Sequence, residues 1–368
     1  MSSRTVGRQG PLADVRVVEF AGIGPAPFAC MLMSDMGADI VTVDRPAATL
    51  DPTQIVNRGR TVVRADLKDP QARASVLELI DGADILVEGF RPKVMERLGL
   101  GPEEVAKRNR RLVYARMTGW GQDGPLSQAA GHDINYIAIT GALNAIGTRE
   151  QPLPPLNLVG DYGGGSLYLV VGILAALHEA RRSGEGQVVD AAITDGVISM
   201  MTNFVGRNLR GAQKNERASN MLDGGAPYYR TYATADGQHV SVGPIEKKFF
   251  AEFCQKVGVP RELTDAQHDE TRWPDLASEL QRIFMSATQE EWVRRLEGTD
   301  CCFAPVVSLK DAPFHAQNAA RASFVEVDGI LQPAPAPRFS RTPSAVQGAP
   351  AKAASQMGDV LARWAHGI

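Results

Sequence analysis

Cysteine is scarce in this sequence, and the few residues present form no recognisable pattern. The chain of 368 residues contains four cysteines, Cys30, Cys254, Cys301 and Cys302. Four are too few for a disulfide framework at this length, and the adjacent Cys301 and Cys302 lack the spacing of metal ligands. We therefore expect Cys301 and Cys302 to be buried free thiols in a reducing compartment, and no metal site.

Strong net charge and long apolar runs are also missing. The formal net charge is −3, whereas a nucleic-acid-binding protein should carry a strongly basic face. The longest apolar run, Leu167 to Leu177, is too short to span a bilayer. The start, Met1 to Gly10, lacks the apolar core of a signal peptide, and the tail, Ala365 to Ile368, matches no peroxisomal signal. These features predict a cytoplasmic protein that binds neither nucleic acid nor a membrane.

One glycine-rich turn lacks a residue that a dinucleotide-binding fingerprint requires. Gly22-Ile23-Gly24 follows a predicted strand, and Asp44 lies near the expected position of a ribose-binding acid. The third glycine is absent, because Phe28 or a neighbour occupies its place, and Pro25 interrupts the turn. We therefore do not expect a nicotinamide cofactor.

The first half of the chain alternates β-branched apolar runs with segments of helical spacing. Helical segments include Ala26 to Met36 and the residues after Pro70. Strands that alternate with helices predict an α/β fold with a doubly wound, mainly parallel sheet. The predicted strands are Val15 to Phe20, Asp39 to Val43, Thr61 to Leu67, Asp84 to Val87 and Leu112 to Met117.

The second half has a different pattern. Tyr228 to Thr234 and His239 to Val242 flank the turn Ala235-Asp236-Gly237, which predicts a β-hairpin. Helical spacing follows at Lys247 to Val257 and at Gln289 to Leu296. This half is therefore expected to form a separate α+β domain.

The chain after this domain is rich in Pro and Ala. Leu331 to Ala354 predicts an extended crossover, and Met357 to Trp364 has the spacing of a helix that packs back on the first domain. We therefore divide the chain into a large domain (1–195), a linker (196–225), a small α+β domain (226–325) and a crossover with a C-terminal return (326–368).

Cationic side chains accompany four of the predicted strands. Arg45 follows the second strand, Lys68 the third and Arg91 the fourth, and Arg116 lies within the fifth. Ligands of open α/β sheets bind beyond the carboxyl ends of the strands, so these cations should share one rim. Such a rim suits a phosphorylated ligand, because guanidinium groups grip phosphate oxygens in pairs. The alternative is that several of them are solvated surface residues.

Two candidate proton carriers lie in glycine-rich sequence, His132 after Gly131 and Asp161 before Gly163-Gly164-Gly165. An imidazole can take and return a proton near neutral pH. Asp161 precedes a helix predicted for Ser166 to Arg182, where backbone N–H groups could stabilise an oxyanion and glycines could admit a ligand to the backbone. The alternative is a loop histidine and a helix-capping aspartate.

A catalytic imidazole also needs a partner for its second ring nitrogen. Asp133 is adjacent to His132 but points elsewhere if the backbone is extended. Glu246, at the start of a predicted helix, can be that partner only if the small domain folds over the large domain of the same or of another subunit. Residue patterns leave this question open.

Ordered motifs along nearly the whole chain resemble those of the α-methylacyl-CoA racemases, within the family III CoA-transferase superfamily. The motifs are Val18-Glu19-Phe20-Ala21-Gly22-Ile23-Gly24-Pro25, Asp44-Arg45-Pro46, Ala65-Asp66-Leu67-Lys68, Glu88-Gly89-Phe90-Arg91-Pro92, Ala115-Arg116-Met117-Thr118-Gly119-Trp120-Gly121, Gly131-His132-Asp133, Gly160-Asp161 and Asp223-Gly224-Gly225-Ala226-Pro227-Tyr228-Tyr229.

This resemblance implies an interlocked homodimer. Each subunit would have a Rossmann-like large domain, which includes the C-terminal tail. The active site would lie between the large domain of one subunit and the small domain of the other, where Glu246 would stand. The resemblance also assigns coenzyme A binding to Arg45, Ala65, Leu67, Lys68, Gly89, Arg91 and Arg116.

The resemblance further implies the chemistry. Similar racemases have a His-Asp pair at the Gly-His-Asp motif and use two proton carriers, so catalytic roles are expected for His132, Asp161, Asp133 and Glu246. The substrate would be a 2-methylacyl-CoA thioester, which passes through an enolate without a cofactor, because coenzyme A belongs to the substrate. One alternative is a CoA-transferase that forms an acyl intermediate on Asp161. A second is an acyl-CoA-binding protein that has lost catalysis.

Overall fold

A computed structural model describes residues 7–365 of the chain. Residues 1–6 and 366–368 lie outside the described residues, and so does most of the start and tail considered above. The described chain forms two compact units. The larger comprises the described residues of Met1–Thr140, Pro155–Met201 and Ala316–Ile368, and the smaller comprises Gly141–Pro154 and Thr202–His315.

The strands of the larger unit form one parallel sheet of six strands in the order β3-β2-β1-β4-β5-β6, beside a separate hairpin of β10 and β11. These strands are β1 (Arg16–Phe20), β2 (Asp39–Asp44), β3 (Arg60–Arg64), β4 (Ile85–Glu88), β5 (Val113–Thr118), β6 (Val188–Ala192), β10 (Phe324–Val327) and β11 (Ile330–Pro333). The remaining strands, β7 (Arg230–Ala233), β8 (His239–Val242) and β9 (Phe303–Pro305), form an antiparallel sheet in the smaller unit.

The predicted α/β class and the five predicted strands are confirmed, each to within a few residues at its ends. Parallel strands covered on both faces are continuously apolar, and β1 and β2 are buried along most of their length. The sixth strand, β6, was not predicted. It lies at the edge of the sheet, and the exposed Asp190 interrupts its apolar pattern.

The helices of the described chain include the six predicted helical segments, and the other helices were not predicted. They are α1 (Pro25–Asp35), α2 (Pro70–Asp81), α3 (Val94–Arg97), α4 (Pro102–Arg108), α5 (Asp133–Ala138), α6 (Ala142–Ala145), a π-helix (Leu158–Leu167), α7 (Tyr168–Ser183), α8 (Ile193–Met200), α9 (Thr202–Leu209), α10 (Lys247–Val257), α11 (Arg261–Thr264), α12 (Trp273–Phe284), α13 (Gln289–Leu296), α14 (Ala316–Ala320) and α15 (Met357–Ala365). Helix α2 illustrates why they begin where they do. Pro70 occupies its first turn, and the Asp69 carboxylate accepts from the backbone N–H groups of Gln71 and Ala72.

The π-helix and α7 form one continuous helical segment in the larger unit. We predicted a helix from Ser166 but not the π-helical turns before it. The segment Leu158–Ser183 has 26 residues and is therefore longer than the apolar run considered above. Its most apolar window of 18 residues has a mean hydropathy of 1.4, so the segment could cross a bilayer by length and composition. A single helix of this kind is weak evidence for a membrane span, since core helices of soluble proteins share these properties. Here α7 packs against β5 and β6.

Glycines allow α8 to approach the π-helix until their backbones touch. A Cβ at Gly196 would lie 1.9 Å from the carbonyl oxygen of Gly164, and a Cβ at Gly164 would lie 2.5 Å from Val197 Cγ2. A Cβ at Gly165 would lie 3.0 Å from Pro25. We expected the triple glycine to admit a ligand to the backbone, and this expectation is wrong for Gly164 and Gly165, because neighbouring protein atoms fill the space.

The C-terminal chain is bound to the larger unit by buried polar contacts. Trp364 Nε1 donates to the Asp39 carboxylate at 2.8 Å, and Trp364 is 5% exposed. The Arg58 guanidinium pairs with Asp35 and donates to Gln332 Oε1 at 2.8 Å. Ser355 lies between Gln332 and Trp364 in the sequence, and its N–H donates to the carbonyl of Val62 in β3.

The smaller unit contains the predicted hairpin and its own apolar core. Strands β7 and β8 pair antiparallel as predicted, with Tyr232 opposite Val240. Tyr232 stacks on Phe284 of α12 with ring centroids 5.3 Å apart, and Trp292 of α13 meets Phe284 edge-on. Aromatic packing of this kind stabilises the three-stranded sheet against the helices.

The units divide the chain at other residues than the boundaries we predicted. Segment 141–154 groups with the smaller unit, and the stretch expected to be a linker holds it there. The Arg217 guanidinium donates to the Thr148 carbonyl at 2.9 Å and to the Asn144 carbonyl at 3.1 Å. Residues 202–225 are therefore part of the compact smaller unit.

Replacing Gly196 by Ala is predicted to lower the free energy of unfolding by about 1–3 kcal/mol, since the new methyl group would force the backbones of α8 and the π-helix apart. Gly358→Ala is the matched control, because it lies in α15 with no atom within 4 Å of the added Cβ. It should leave stability unchanged or raise it by up to about 1 kcal/mol through helix propensity. Urea unfolding followed by circular dichroism measures both, and equal effects would contradict the packing argument.

Candidate active site

A cavity of about 850 Å³ opens in the larger unit at the carboxyl ends of its strands. The residues just after β1, β2, β4 and β5 all line it, Ala21, Arg45, Gly89 and Gly119 among them. This is where open α/β sheets bind ligands, and the volume suits a sizeable organic molecule. His132 and Asp161 both line this cavity, so the structure brings together the two candidate proton carriers.

His132 immediately precedes α5 as its N-cap residue and is exposed to solvent. Its backbone N–H donates to Asn135 Oδ1 at 3.0 Å, and its carbonyl accepts from the Asn135 N–H at 2.8 Å. The backbone of His132 is therefore fixed by α5, while its imidazole faces the cavity. Capping α5 is a structural role for His132, and the same residue also lines the cavity.

Asp161 lies in the first turn of the π-helix and is partly buried. It is not a helix cap, because Asn157 holds that position, and Asn157 Nδ2 donates to Asp161 Oδ2 at 3.4 Å. Burial raises the pKa of the Asp161 carboxyl, and the negative charge of Asp133 raises it further. The hydrogen bond from Asn157 and the charge of His132 oppose this rise. The two side chains are therefore near enough for the charge of His132 to lower the pKa of Asp161.

Asp133 supports Asp161 rather than the imidazole of His132. Its Oδ2 accepts from the Asp161 N–H at 2.6 Å, and burial raises the pKa of its carboxyl. A Cβ at Gly160 would lie 2.3 Å from the same oxygen, so only glycine fits there. We expected N–H groups near Asp161 to face an oxyanion, but the Asp161 N–H is already bound to Asp133.

The floor of the cavity contains a buried ion pair that sequence patterns did not reveal. Arg60 NH1 lies 2.9 Å from Glu19 Oε2, and Thr42 Oγ1 donates to the same oxygen at 2.6 Å. Arg60 also donates to the Val56 carbonyl at 2.7 Å. Because Glu19 neutralises its guanidinium, Arg60 lines the cavity without offering a free charge.

The predicted coenzyme A residues divide into three groups. Five of them, Arg45, Ala65, Leu67, Lys68 and Gly89, line the cavity. Arg91 is exposed and does not line it, although its charge reaches Tyr136, which does. Arg116 is away from the cavity.

The expectation for Arg116 is corrected by its contacts. Its side chain is buried and bridges two carboxylates, with Nε 2.9 Å from Glu88 Oε1 and NH1 2.9 Å from Glu96 Oε1. A phosphate would have to displace both partners and enter the protein interior. The predicted rim of four cations therefore reduces to Arg45 and Lys68, with Arg91 beside it.

Comparison with known proteins identifies the family of this chain. The family model "CoA-transferase family III" matches residues 12–356. The chain belongs to CoA-transferase family III. An alpha-methylacyl-CoA racemase of Mus musculus is 42% identical over 336 residues, which cover 90% of this chain and 87% of that protein. The predicted membership of this superfamily is confirmed.

Other members of the family carry different activities in their names. A succinyl-CoA:glutarate CoA-transferase of Mus musculus is 27% identical over 356 residues, which cover 90% of this chain and 81% of that protein. Among solved structures, a hypothetical protein from Mycobacterium tuberculosis superposes with a TM-score of 0.81 at 27% identity, covering 96% of this chain and 99% of that one. Family membership thus shows an enzyme family and leaves two reaction classes to distinguish.

Glu246 lies in the smaller unit of this family member. It precedes α10 as the N-cap residue, as predicted, and its side chain is exposed. Its negative charge raises the thiol pKa of Cys302, although partial desolvation of that thiol is the larger cause of the rise. Cys302 is exposed, whereas we expected it to be buried. The proposed pairing of Glu246 with His132 stays a prediction.

Sequence patterns missed one side chain and one segment at the cavity, and one side chain that supports Asp161. Tyr136 lies four residues after His132 and could have been found from this helical spacing. Asn157 lies at the same spacing before Asp161 and donates to its carboxylate, although Asn157 does not line the cavity. Pro350 and Ala351 also line the cavity, but nothing in their local sequence indicates it.

Within residues 7–365, no three histidine, cysteine, aspartate or glutamate side chains form a group that could hold a metal ion. The expectation that the chain needs neither metal nor cofactor stays a prediction.

Two substitutions should move the pKa of Asp161 in opposite directions. Asp133→Asn removes a nearby negative charge and should lower it, while Asn157→Ala removes a hydrogen bond to the carboxylate and should raise it. Carbon-13 NMR of labelled aspartate, assigned with Asp161→Asn, measures both. Asp14→Asn, at an exposed ion pair with Arg181, is the control. Shifts in the same direction would refute this account of the site.

Proposed function

We propose that this protein interconverts (2R)- and (2S)-2-methylacyl-CoA thioesters by removing and returning the α-proton. The observation that carries the proposal is the presence of His132 and Asp161 on the same cavity, with electrostatic coupling between them. Inversion at a carbon acid requires one base on each face of the carbon. The name of the racemase relative supports the same reaction.

The reaction uses one base in its unprotonated form and the other in its protonated form. One of them takes the α-proton, and the electron pair of the C–H bond moves into an enolate. The other base then delivers a proton to the opposite face, so the acid and base roles are reversed after each turnover and reset by solvent. Asp161 can serve in both roles because its pKa is raised by burial, towards that of an imidazole.

The substrate would be held by its coenzyme A portion. Arg45 and Lys68, the exposed cations of the cavity, suit phosphate oxygens. Ala65, Leu67 and Gly89 provide small or apolar surface nearby. Coenzyme A is part of the substrate in this proposal, so no cofactor is required.

A CoA-transferase is the second candidate, favoured by the transferase relatives and by the carboxylate of Asp161. In that reaction Asp161 would attack the thioester carbonyl and coenzyme A thiolate would leave, giving an acyl anhydride. His132 has no necessary part in this step. Its presence on the cavity therefore favours the racemase.

The decisive experiment follows the α-proton of (2R)- and (2S)-2-methylacyl-CoA in deuterium oxide without a second acid. Deuterium incorporation with epimerisation is expected. Transfer of coenzyme A to an added free acid, with no exchange, would favour the transferase instead. Neither reaction would indicate an acyl-CoA-binding protein.

His132→Ala should reduce epimerisation by at least about 100-fold, because one of the two bases is lost. Binding of the thioester, measured by isothermal titration calorimetry, should change little. His178→Ala, at an exposed position on α7, serves as control and should retain activity. Persistence of activity in His132→Ala would refute the two-base mechanism.

We further propose an interlocked homodimer in the cytoplasm, with the active site completed by Glu246 of the partner subunit. The larger unit exposes apolar side chains that a second copy could bury, including Leu158, Leu167 and Val171 at 57%, 50% and 65% exposure. The free thiols of all four cysteines suit a reducing compartment.

Co-expression of His132→Ala with Glu246→Gln tests this arrangement. Each variant alone should be inactive, but a mixed dimer has one site with both residues intact. With random pairing, about one quarter of the wild-type activity should return. No recovery in a verified mixed dimer would mean that both residues act in the same subunit.

A further inference from the structure

We propose that Tyr136 is a positioning residue that fixes the peptide group between Gly131 and His132 and so sets where the imidazole enters the cavity. The inference rests on the proposed racemase function. It assigns a role to a residue that acts through His132 and does not itself exchange a proton with the substrate. It predicts a defect confined to one of the two bases.

The peptide group between Gly131 and His132 is held at both ends by side chains of α5. Its carbonyl oxygen accepts a hydrogen bond from the Tyr136 hydroxyl. Its N–H, which belongs to His132, donates to Asn135 Oδ1 at 3.0 Å. A peptide plane bound at both its oxygen and its nitrogen cannot rotate, and the direction of the His132 side chain follows from that plane.

The ring of Tyr136 occupies space that two glycines leave open. A Cβ at Gly119 would lie 2.0 Å from Tyr136 Cε1, and a Cβ at Gly131 would lie 2.7 Å from the same atom. Trp120 meets the ring edge-on, with centroids 4.8 Å apart at 84°. The two glycines and Trp120 therefore hold the ring where its hydroxyl reaches the Gly131 carbonyl.

Burial and the nearby Asp161 keep the Tyr136 hydroxyl protonated. Burial raises the pKa of Tyr136, and the charge of Asp161 raises it further, while Arg91 opposes the rise. A phenol of this kind stays a hydrogen-bond donor at every pH at which an imidazole titrates.

A misplaced His132 would impair one face of the substrate only. For the enantiomer whose α-proton faces Asp161, proton removal would continue, but the enolate would regain deuterium from Asp161 on the same face. That enantiomer would exchange without inverting. For the other enantiomer, exchange and inversion would fall together, because His132 removes its proton.

The experiment compares wild type with Tyr136→Phe and measures deuterium exchange and inversion separately for each enantiomer. We expect the ratio of exchange to inversion to rise about tenfold for one enantiomer only, as expected for a displaced catalytic group, with KM changed less than about twofold. Tyr114→Phe is the matched control. Its buried hydroxyl also donates to a backbone carbonyl, that of Leu100 at 2.9 Å, away from the cavity.

Equal ratios for both enantiomers in Tyr136→Phe, or a rise shared by Tyr114→Phe, would overturn the proposal and indicate a purely structural role. If Tyr136→Phe fails to fold, Trp120→Phe takes its place, since it keeps the hydroxyl but loosens the ring. The same one-sided rise, smaller in size, supports the proposal, and its absence overturns it.

A readout independent of turnover separates this proposal from the proposed function. If the wild type catalyses neither exchange nor inversion, the racemase assignment fails by itself. Nitrogen-15 NMR of the His132 ring then decides the role of Tyr136. A shifted resonance in Tyr136→Phe, unchanged in Tyr114→Phe, supports positioning, and an unshifted one overturns it.

Discussion

The hydrogen bond from the Asp161 N–H to the Asp133 carboxylate joins the two chain segments that carry the proposed bases. Asp133 directly follows His132 at the start of α5, and Asp161 lies in the first turn of the π-helix. The contact is 2.6 Å long, and Asp133 is only 9% exposed, so water competes weakly for it. Any movement of α5 therefore carries His132 and the backbone of Asp161 together.

The same carboxylate that sets this geometry also tunes the proton affinity of the site. Its negative charge adds to burial in raising the pKa of Asp161. Each of the two proposed bases must take a proton in one direction of the reaction and give one in the other. A group does both best when its pKa lies near the working pH. One buried side chain thus joins the two segments that carry the pair and also raises the pKa of Asp161.

Local sequence predicted most of the sheet, and the family motifs singled out His132 and Asp161, which line one cavity, but neither showed how these residues are supported. Strands β1 to β5 each contain β-branched apolar residues and are largely buried, whereas β6 is partly exposed, contains Asp190 and lies at an edge. The link between Asp133 and Asp161 joins residues 28 positions apart, which no pattern of spacing reveals. Pro350 and Ala351 come to the cavity from the far end of the chain. The triple glycine was correctly singled out, but helix packing explains Gly164 and Gly165 better than a ligand does.

The roles of the arginines could not be predicted from local sequence either, because they depend on burial rather than on residue type. Arg60 and Arg116 are buried, and a buried guanidinium requires a carboxylate partner, which Glu19 and Glu88 provide. Arg45 follows a strand end much as Arg91 does, yet only Arg45 lines the cavity. Only contacts separate an arginine that could bind phosphate from one that supports the sheet.

The protonation of Asp161 bears on the choice between the two reactions. A nucleophilic carboxylate must be ionised to attack a thioester, and burial that raises its pKa reduces the ionised fraction. A proton carrier must hold a proton for part of each cycle, and the same burial makes this possible. The direction of the Asp161 shift therefore favours the proposed proton carrier over the nucleophile, and the transferase step makes no use of the imidazole.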